Sequence, residues 1–326
     1  MINVWDEFTQ LQEVVLGNVD PALVDYLDLE EAELVREVFY QTQEDLNTIE
    51  QIYTKCGIQV NRPNITSKTS QLVSTPTFDT PGVRNPLSPR DPFIVLGNTI
   101  LETACYKPEC HFEYVYYKQL FTHKWNKYKC GWQRMPQPLL IQDVDADAEP
   151  VLDAAQICRL GDTLVVSNTG AANASGVRWL RQHFSNYSII EANTPVSGHI
   201  DAQLKILRPG LLISPHPLEH LPDCFANWTK LDALEEHIEY PTTGIMFRDD
   251  DVANTYPSTG IISLNEHTVF LYEHYKHTHN YYIKQLEKHG IDVIFVPFRH
   301  SHWFSQCLTC ITLELHRAGT NENYLS

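Results

Sequence analysis

Apolar residues recur at helical spacing through one long early stretch, Leu29 to Cys56: Leu34, Val35, Val38, Phe39, Leu46, Ile49 and Ile52. Gly57 ends that helix, and Ile58-Gln59-Val60 opens a strand. Before it, Leu11 to Gly17 reads as a strand closed by glycine. After it, Thr66 to Pro89 is a Ser-, Thr- and Pro-containing loop with little periodicity. Loops of that length in compact domains are often lids or binding loops. Pro92 to Glu102 reads as two short strands around the Gly97-Asn98 turn. Phe112 to Trp125 is aromatic and helical at its start. Met135 to Pro150 carries the acidic run DVDADAE, which lacks the central glycine and closing glutamate of a calcium loop, so it reads as a solvated loop.

From Gly161 onward a unit recurs. Gly161 to Asn168 is a strand, Gly176 to Phe184 a helix with Val177, Leu180 and Phe184 on one side, and Tyr187 to Ile190 a strand. HIDAQLKIL and GLLIS then pair as a hairpin turned by Pro209-Gly210. The clearest copy comes last: a strand from Gly260 to Leu264, the Asn265-Glu266 turn, and a strand from Thr268 to Leu271. A helix from about Tyr275 to Lys288 follows, then Gly290 and a strand from Asp292 to Pro297. Two strands, a helix and a strand, repeated, predict an α/β protein built of small pseudo-symmetric modules. After the first strand, LGNVDPAL is not a glycine-rich fingerprint, which disfavours NAD or ATP binding by the doubly wound route.

A chain of 326 residues with 43% apolar and 20% charged residues can bury a substantial core, as one large domain or two smaller ones. Its 41 acidic against 24 basic residues leave a formal charge of -17. An acidic surface repels a polyanion, which disfavours nucleic-acid partners and mildly supports a cationic substrate, although solubility alone accounts for most of it. Eight cysteines in a chain this long are not a disulfide scaffold. The opening MINVWDEFTQLQ is no secretory leader. No apolar run approaches the roughly 20 residues that cross a bilayer. Free thiols in a reducing cytoplasm are the expectation, with no membrane contact.

Candidate chemistry gathers where polar segments run into strands. Phe295 to Glu314, FVPFRHSHWFSQCLTCITLE, places Cys307 and Cys310 before the apolar run Ile311 to Leu315. Ser305, Gln306 and Thr309 surround the thiols, and His300 and His302 would depress a thiol pKa if they also lay close in space. Against this stands a buried core cysteine, the commonest fate of an unpaired thiol. His300, His302, Cys307 and Cys310 also have a zinc-like spacing, but they run straight into a strand in a chain that needs no metal staple. In GHIDAQLKIL, Gly198 to Leu207, His199 and Asp201 would share one face if the segment is a strand. Asp91, in SPRDPFIVLGN, is another carboxylate at the mouth of a strand. Together these residues suggest a cysteine nucleophile with a histidine partner.

Nearly the whole chain resembles the arginine:glycine amidinotransferase family of guanidine-modifying enzymes. The resemblance runs through VWDEFTQLQEVVLGNV, SPRDPFIVLGNTILE, HFEYVYYKQL, EPVLDAAQICRLGDTL, GVRWLRQHF, GHIDAQLKILRPGLLIS and CITLELHRAGTNENYLS. It implies a pentein-type α/β propeller of five ββαβ-type modules, residues 1–326 forming a single catalytic domain with its site in the central channel. It implies no cofactor and no metal. The register of ITLELHRAGT makes Cys310 the nucleophile rather than Cys307. His199 becomes the acid/base, and Asp91 and Asp201 grip the guanidinium. The implied reaction transfers an amidino group from L-arginine, or another donor, to an amine acceptor in specialised metabolism. Relatives are often dimers, so a homodimer is implied as well.

Several positions depart from the family. Gln156 stands where the histidine-orienting carboxylate is expected, as a hydrogen-bonding replacement without charge, so Gln156→Asp is expected to raise activity. Asp153 would serve instead only with a re-routed backbone. WFSQCLT replaces the glycine-rich run before the nucleophile, and Thr309 replaces a histidine. The arginines for a substrate carboxylate are missing near Cys110 and from SPHPLEH, and Lys107, Arg208 and Arg248 do not match them. Two alternatives therefore accompany amidino transfer: acyl or amide transfer or hydrolysis through a thioester on the same cysteine, and a non-catalytic binding relative.

Overall fold

The repeated strand–strand–helix–strand pattern folds as five three-stranded sheets. The structure, a computed structural model, describes residues 1–22, 32–65, 73–80, 85–105, 107–140, 148–193, 199–233, 259–273, 280–304 and 306–325. In chain order, β1 (Leu11–Leu16) is followed by the helix Ala32–Lys55 and β2 (Gln59–Asn61). A minor hairpin, β3 (Val73–Ser74) with β4 (Asp79–Thr80), comes next. The second module is β5 (Phe93–Leu96), β6 (Thr99–Glu102), the helix Lys118–Tyr128 and β7 (Gly131–Arg134). The third is β8 (Ile157–Leu160), β9 (Thr163–Ser167), the helix Ala174–His183 and β10 (Ser188–Ala192). The fourth joins β11 (Lys205–Arg208) and β12 (Leu211–Ser214) to β13 (Thr229–Asp232) through 3-10 turns at Leu218–His220 and Asp223–Phe225. The fifth is β14 (Ile262–Asn265), β15 (Thr268–Tyr272), the helix Asn280–Lys288 and β16 (Asp292–Val296). The final strand, β17 (Thr312–Arg317), returns to β1.

Every sheet has the same internal logic. Its first two strands pair antiparallel and its third runs parallel to the second. Antiparallel neighbours need only a tight turn, whereas a parallel neighbour needs a crossover, which is where the helices sit. The module containing β1 and β2 takes its first strand, β17, from the other end of the chain, so pairing of the two termini closes the ring. This is the five-module α/β propeller that the resemblance implies. At the β8–β9 turn, Gly161 has φ +66°, and a Cβ there would lie 1.9 Å from the Glu322 carbonyl oxygen. Glycine is needed at this turn both for conformation and for space.

The helix Ala32–Lys55 buries Val35, Val38, Phe39, Leu46, Ile49 and Tyr53 against the β14–β16 module. Each such burial is worth about 1.5–3 kcal/mol. Leu34 has the apolar character of the buried stripe but lies off it, 47% exposed. Five strands escape a sequence reading: β7, β8, β13 and the two of the minor hairpin, β3 and β4. In β8 all four residues are buried, Arg159 among them, so there is no alternation to see. The predicted first turn of the last helix, the residues 141–147 of the acidic loop and the residues 66–72 and 81–84 of the long loop lie outside the described residues. Among the described residues no helix is long and apolar enough to cross a membrane.

The first strands of the modules meet at the centre, and what meets there is charge. Arg159 on β8 is bonded to Glu314 on β17 and donates to the Val95 carbonyl on β5 at 3.3 Å. Arg317 on β17 donates to the Ser263 carbonyl on β14 at 2.6 Å, and Lys205 on β11 reaches Glu7 at 3.4 Å. Burial pulls the Arg159 guanidinium down to about 9, and neighbouring Arg90 adds to the fall while Glu7 opposes it. Groups this buried are tolerable only when paired, because removing one partner leaves an uncompensated charge away from water. Paired charges thus fill the centre of the ring where the first strands meet.

Candidate active site

The segment just before the first strand of each module lies at the same end of the ring. Cys310 precedes β17, Asp91 precedes β5, the 3-10 turn Ala154–Gln156 precedes β8, His199 to Ala202 precede β11, and Thr259 precedes β14. Backbone bonds stitch these loops together. The Arg90 amide donates to the Cys310 carbonyl at 3.3 Å and the Ala154 amide to the Asp91 carbonyl at 2.8 Å. The Arg90 guanidinium, 3% exposed, caps the carbonyls of Ala154 and Ile157. The Thr259 hydroxyl donates to the Ala202 carbonyl at 2.5 Å. Residues 219 positions apart in sequence are thus held in one rigid rim.

Asp91, His199, Asp201 and Cys310 converge. Ligand atoms of Asp91, His199 and Cys310 lie within 4.8 Å of one another, as do those of Asp201, Cys307 and Cys310. Carboxylate, imidazole and thiolate donors at this spacing are a set that a divalent metal takes. They also match what a planar cation with several N–H donors needs: carboxylates at its edge and a sulfur over its carbon. His199 is not on a strand as its spacing with Asp201 suggested. It caps the 3-10 turn Ile200–Ala202, with β11 starting only at Lys205, so the turn rather than a β pleat brings His199 and Asp201 together.

The ring is oriented by a residue other than the expected one. His199 Nε2 lies 3.3 Å from an Asp153 carboxylate oxygen, and Nδ1 lies 3.8 Å from Asp91. Gln156 instead accepts from the Ile200 amide at 3.0 Å and donates to the Thr169 carbonyl at 2.8 Å, holding the backbone that carries the histidine. No re-routing is involved. Asp153 caps the turn Ala154–Gln156, and residues three apart on a 3-10 turn eclipse, so both side chains face residues 199 and 200.

His199 is 23% exposed on its side chain. Burial disfavours its cation, but the Asp153 bond and the charges of Asp91 and Asp201 outweigh that and raise its pKa to about 9. The folded state therefore binds this proton more tightly than the unfolded chain, whose histidine titrates near 6.5. The resulting stability is fully present below about pH 6.5 and is lost as pH rises through 9. Between pH 6 and pH 9.5 the urea-unfolding free energy is expected to fall more for the wild type than for His199→Gln, by up to about 3 kcal/mol. Parallel pH curves for the two proteins would contradict this reading of the ring.

Cys310 is 4% exposed. Its hydrogen bond with Cys307, its burial and the nearby Asp201 and Asp91 carboxylates hold its thiol well above the ordinary range. The depressed thiol expected from His300 is not found: His300 Nε2 meets Gln41 on the long helix at 2.7 Å. That contact also separates His300 from the zinc-like cluster. Burial pushes the Asp201 carboxyl up, opposed by His199, Arg90 and the Thr309 hydroxyl. Arg208 is occupied by the carbonyls of Glu266 and His289, at 3.2 and 2.6 Å, and Arg248 lies outside the described residues. Arg90 and Asp153 are the two site residues that sequence reasoning passed over or set aside. The only signal for Arg90 was its place beside Asp91.

No family model matches the chain. Its sequence is similar along its length to curated proteins. Inosamine-phosphate amidinotransferase 1 of Streptomyces glaucescens is 25% identical over 99% of each chain. The L-arginine:L-lysine amidinotransferase of Pseudomonas savastanoi pv. phaseolicola is 24% identical over 98% of this chain and 96% of its own. Among solved structures, an amidinotransferase of the saxitoxin biosynthetic pathway from Microseira wollei superposes with a TM-score of 0.85 over 99% of each chain, at 23% identity.

Proposed function

The chain is a divergent member of the amidinotransferase superfamily, and from that premise we propose that it moves an amidino group from L-arginine to an amine acceptor through a covalent intermediate on Cys310. One observation carries the reading: a thiol, an imidazole and a carboxylate from three separate modules lie within 4.8 Å of one another, and Asp201 and a second thiol lie within the same distance of Cys310. In this reading residues 1–326 act as one catalytic domain.

Asp91 and Asp201 accept hydrogen bonds from the donor's guanidinium and hold it flat. Its positive charge offsets the two carboxylates that keep Cys310 protonated, so donor binding itself favours the thiolate. The thiolate attacks the guanidinium carbon. His199, charged in the free site, donates its proton to the departing nitrogen, and ornithine leaves. The carbon remains on sulfur as an amidino-thioether. His199, now neutral, takes a proton from the incoming amine as that amine attacks the carbon, and the carbon–sulfur bond breaks to restore the Cys310 thiolate and the charged His199. Asp153 supports the imidazolium that alternates through both halves. Exclusion of water decides whether the intermediate transfers or hydrolyses. A role in specialised metabolism accords with the saxitoxin biosynthetic pathway to which the similar amidinotransferase of Microseira wollei belongs.

Thioester acyl transfer drew its support from the altered run before the nucleophile, WFSQCLT, and from the lost charge at Gln156. Asp153 at the ring removes the second ground, and the Asp91 and Asp201 carboxylates beside the thiol favour a cationic substrate. The test is intact-protein mass spectrometry after incubation with arginine labelled in its guanidino group. A labelled gain of about 42 daltons, absent in Cys310→Ala and discharged by a trial amine, is expected. No labelled adduct on the wild type, under conditions where acyl thioester donors do label it, would overturn the reading.

A further inference from the structure

The transfer chemistry uses one thiol, yet a second lies beside it. Cys307 Sγ is 3.1 Å from Cys310 Sγ, and both residues are buried. A single helical turn sets this up: the Ile311 amide donates to the Cys307 carbonyl at 3.2 Å, so the two side chains, three residues apart, share a face. Gly260 fixes the direction. A Cβ at that position would lie 2.2 Å from Cys307 Cβ and 2.6 Å from its sulfur, so only glycine leaves the thiol its place toward Cys310. The sulfurs need approach by only about 1 Å to reach bonding distance.

We propose that Cys307 and Cys310 are a reversible oxidative modification site, closing to an intrachain disulfide under peroxide. The Cys310 thiolate attacks one peroxide oxygen, the O–O bond breaks, and hydroxide departs with a proton as water. The product is a sulfenic acid. The Cys307 sulfur then attacks the Cys310 sulfur; the S–O bond breaks, and water leaves carrying the Cys307 proton. Two thiols and one hydrogen peroxide give one disulfide and two waters. The bond ties up the electron pair that attacks the guanidinium, and it protects Cys310 from irreversible oxidation to sulfinic acid. The carboxylates beside Cys310 make the first step slow at neutral pH and faster as pH rises. Bond formation stands independently of the proposed function; only its effect on turnover rests on Cys310 being the nucleophile.

The experiment treats the fully reduced full-length chain with graded hydrogen peroxide, alkylates the remaining free thiols, and maps the peptides. The peptide carrying both cysteines is expected to lose about 2 daltons and to resist alkylation until dithiothreitol is added. Arginine-dependent turnover is expected to fall in step and to return with dithiothreitol. In Cys307→Ser the same exposure is expected to carry Cys310 to sulfinic acid, with no recovery. The proposal is overturned if wild-type Cys310 becomes sulfinic while Cys307 stays free, if either residue pairs with Cys105 or Cys110, or if both stay reduced under peroxide that oxidises exposed Cys56. A mapped disulfide in a protein without arginine turnover would uphold the modification site and count against the amidinotransferase reading alone.

Discussion

Alanine in place of Cys310 is expected to abolish arginine-dependent transfer, a loss of at least about 10⁵-fold in kcat, because it removes the sulfur that carries the covalent intermediate. Cys307→Ala is expected to keep most of the turnover and to change its pH dependence. The Cys307 hydrogen bond is the first cause of the raised Cys310 thiol, with burial and the two carboxylates behind it. Removing that bond lets Cys310 ionise more readily, so the acid limb of kcat/KM against pH should move to lower pH. If Cys307→Ala is dead and Cys310→Ala active, the nucleophile has been placed three residues too late. If Cys307→Ala keeps the wild-type acid limb, Cys307 does not act on Cys310 through its thiol.

Asp153→Asn is expected to lower kcat by about 10²- to 10⁴-fold with a smaller effect on KM, since an amide holds the ring without stabilising its cation. The same change should pull the His199 pKa down, because the Asp153 bond is the first of the influences that raise it against burial. An NMR titration of the labelled ring reads that shift directly. An unchanged kcat and an unchanged ring titration would remove Asp153 from the site. Gln156→Asp becomes the reverse of the expectation drawn from family comparison. Gln156 donates to the Thr169 carbonyl and accepts from the Ile200 amide. A shorter, donor-less carboxylate can do only the second, so this substitution is expected to weaken the support of residues 199 and 200 and to lower activity.

The contrast between Asp153 and Gln156 shows where sequence reading stops. A motif aligned by register says which residue types occupy which positions, and it correctly flagged the segment. Whether residue 153 or 156 reaches the ring depends on the pitch of a three-residue 3-10 turn and on Arg90 bonding the carbonyls of Ala154 and Ile157. Neither feature leaves a periodic trace. The same limit hid β8, whose buried Arg159 belongs to a charge network spanning four modules. His300 illustrates the converse: only seven residues before Cys307 in sequence, it is held by Gln41 on a helix from the other end of the chain.

By itself the sequence determined the repeated module, because helical and strand periodicities and their terminating glycines are local properties of short segments. It also determined the residue types at the strand mouths, Asp91, His199, Asp201 and Cys310, because those segments are short, polar and attached to recognisable strands. Only the tertiary structure decided that β17 pairs with β1 to close the ring, that Asp153 faces the imidazole, and that Cys307 lies against Cys310 in the space Gly260 leaves. Those outcomes depend on contacts between segments up to three hundred residues apart, whose distances and burial no local pattern encodes.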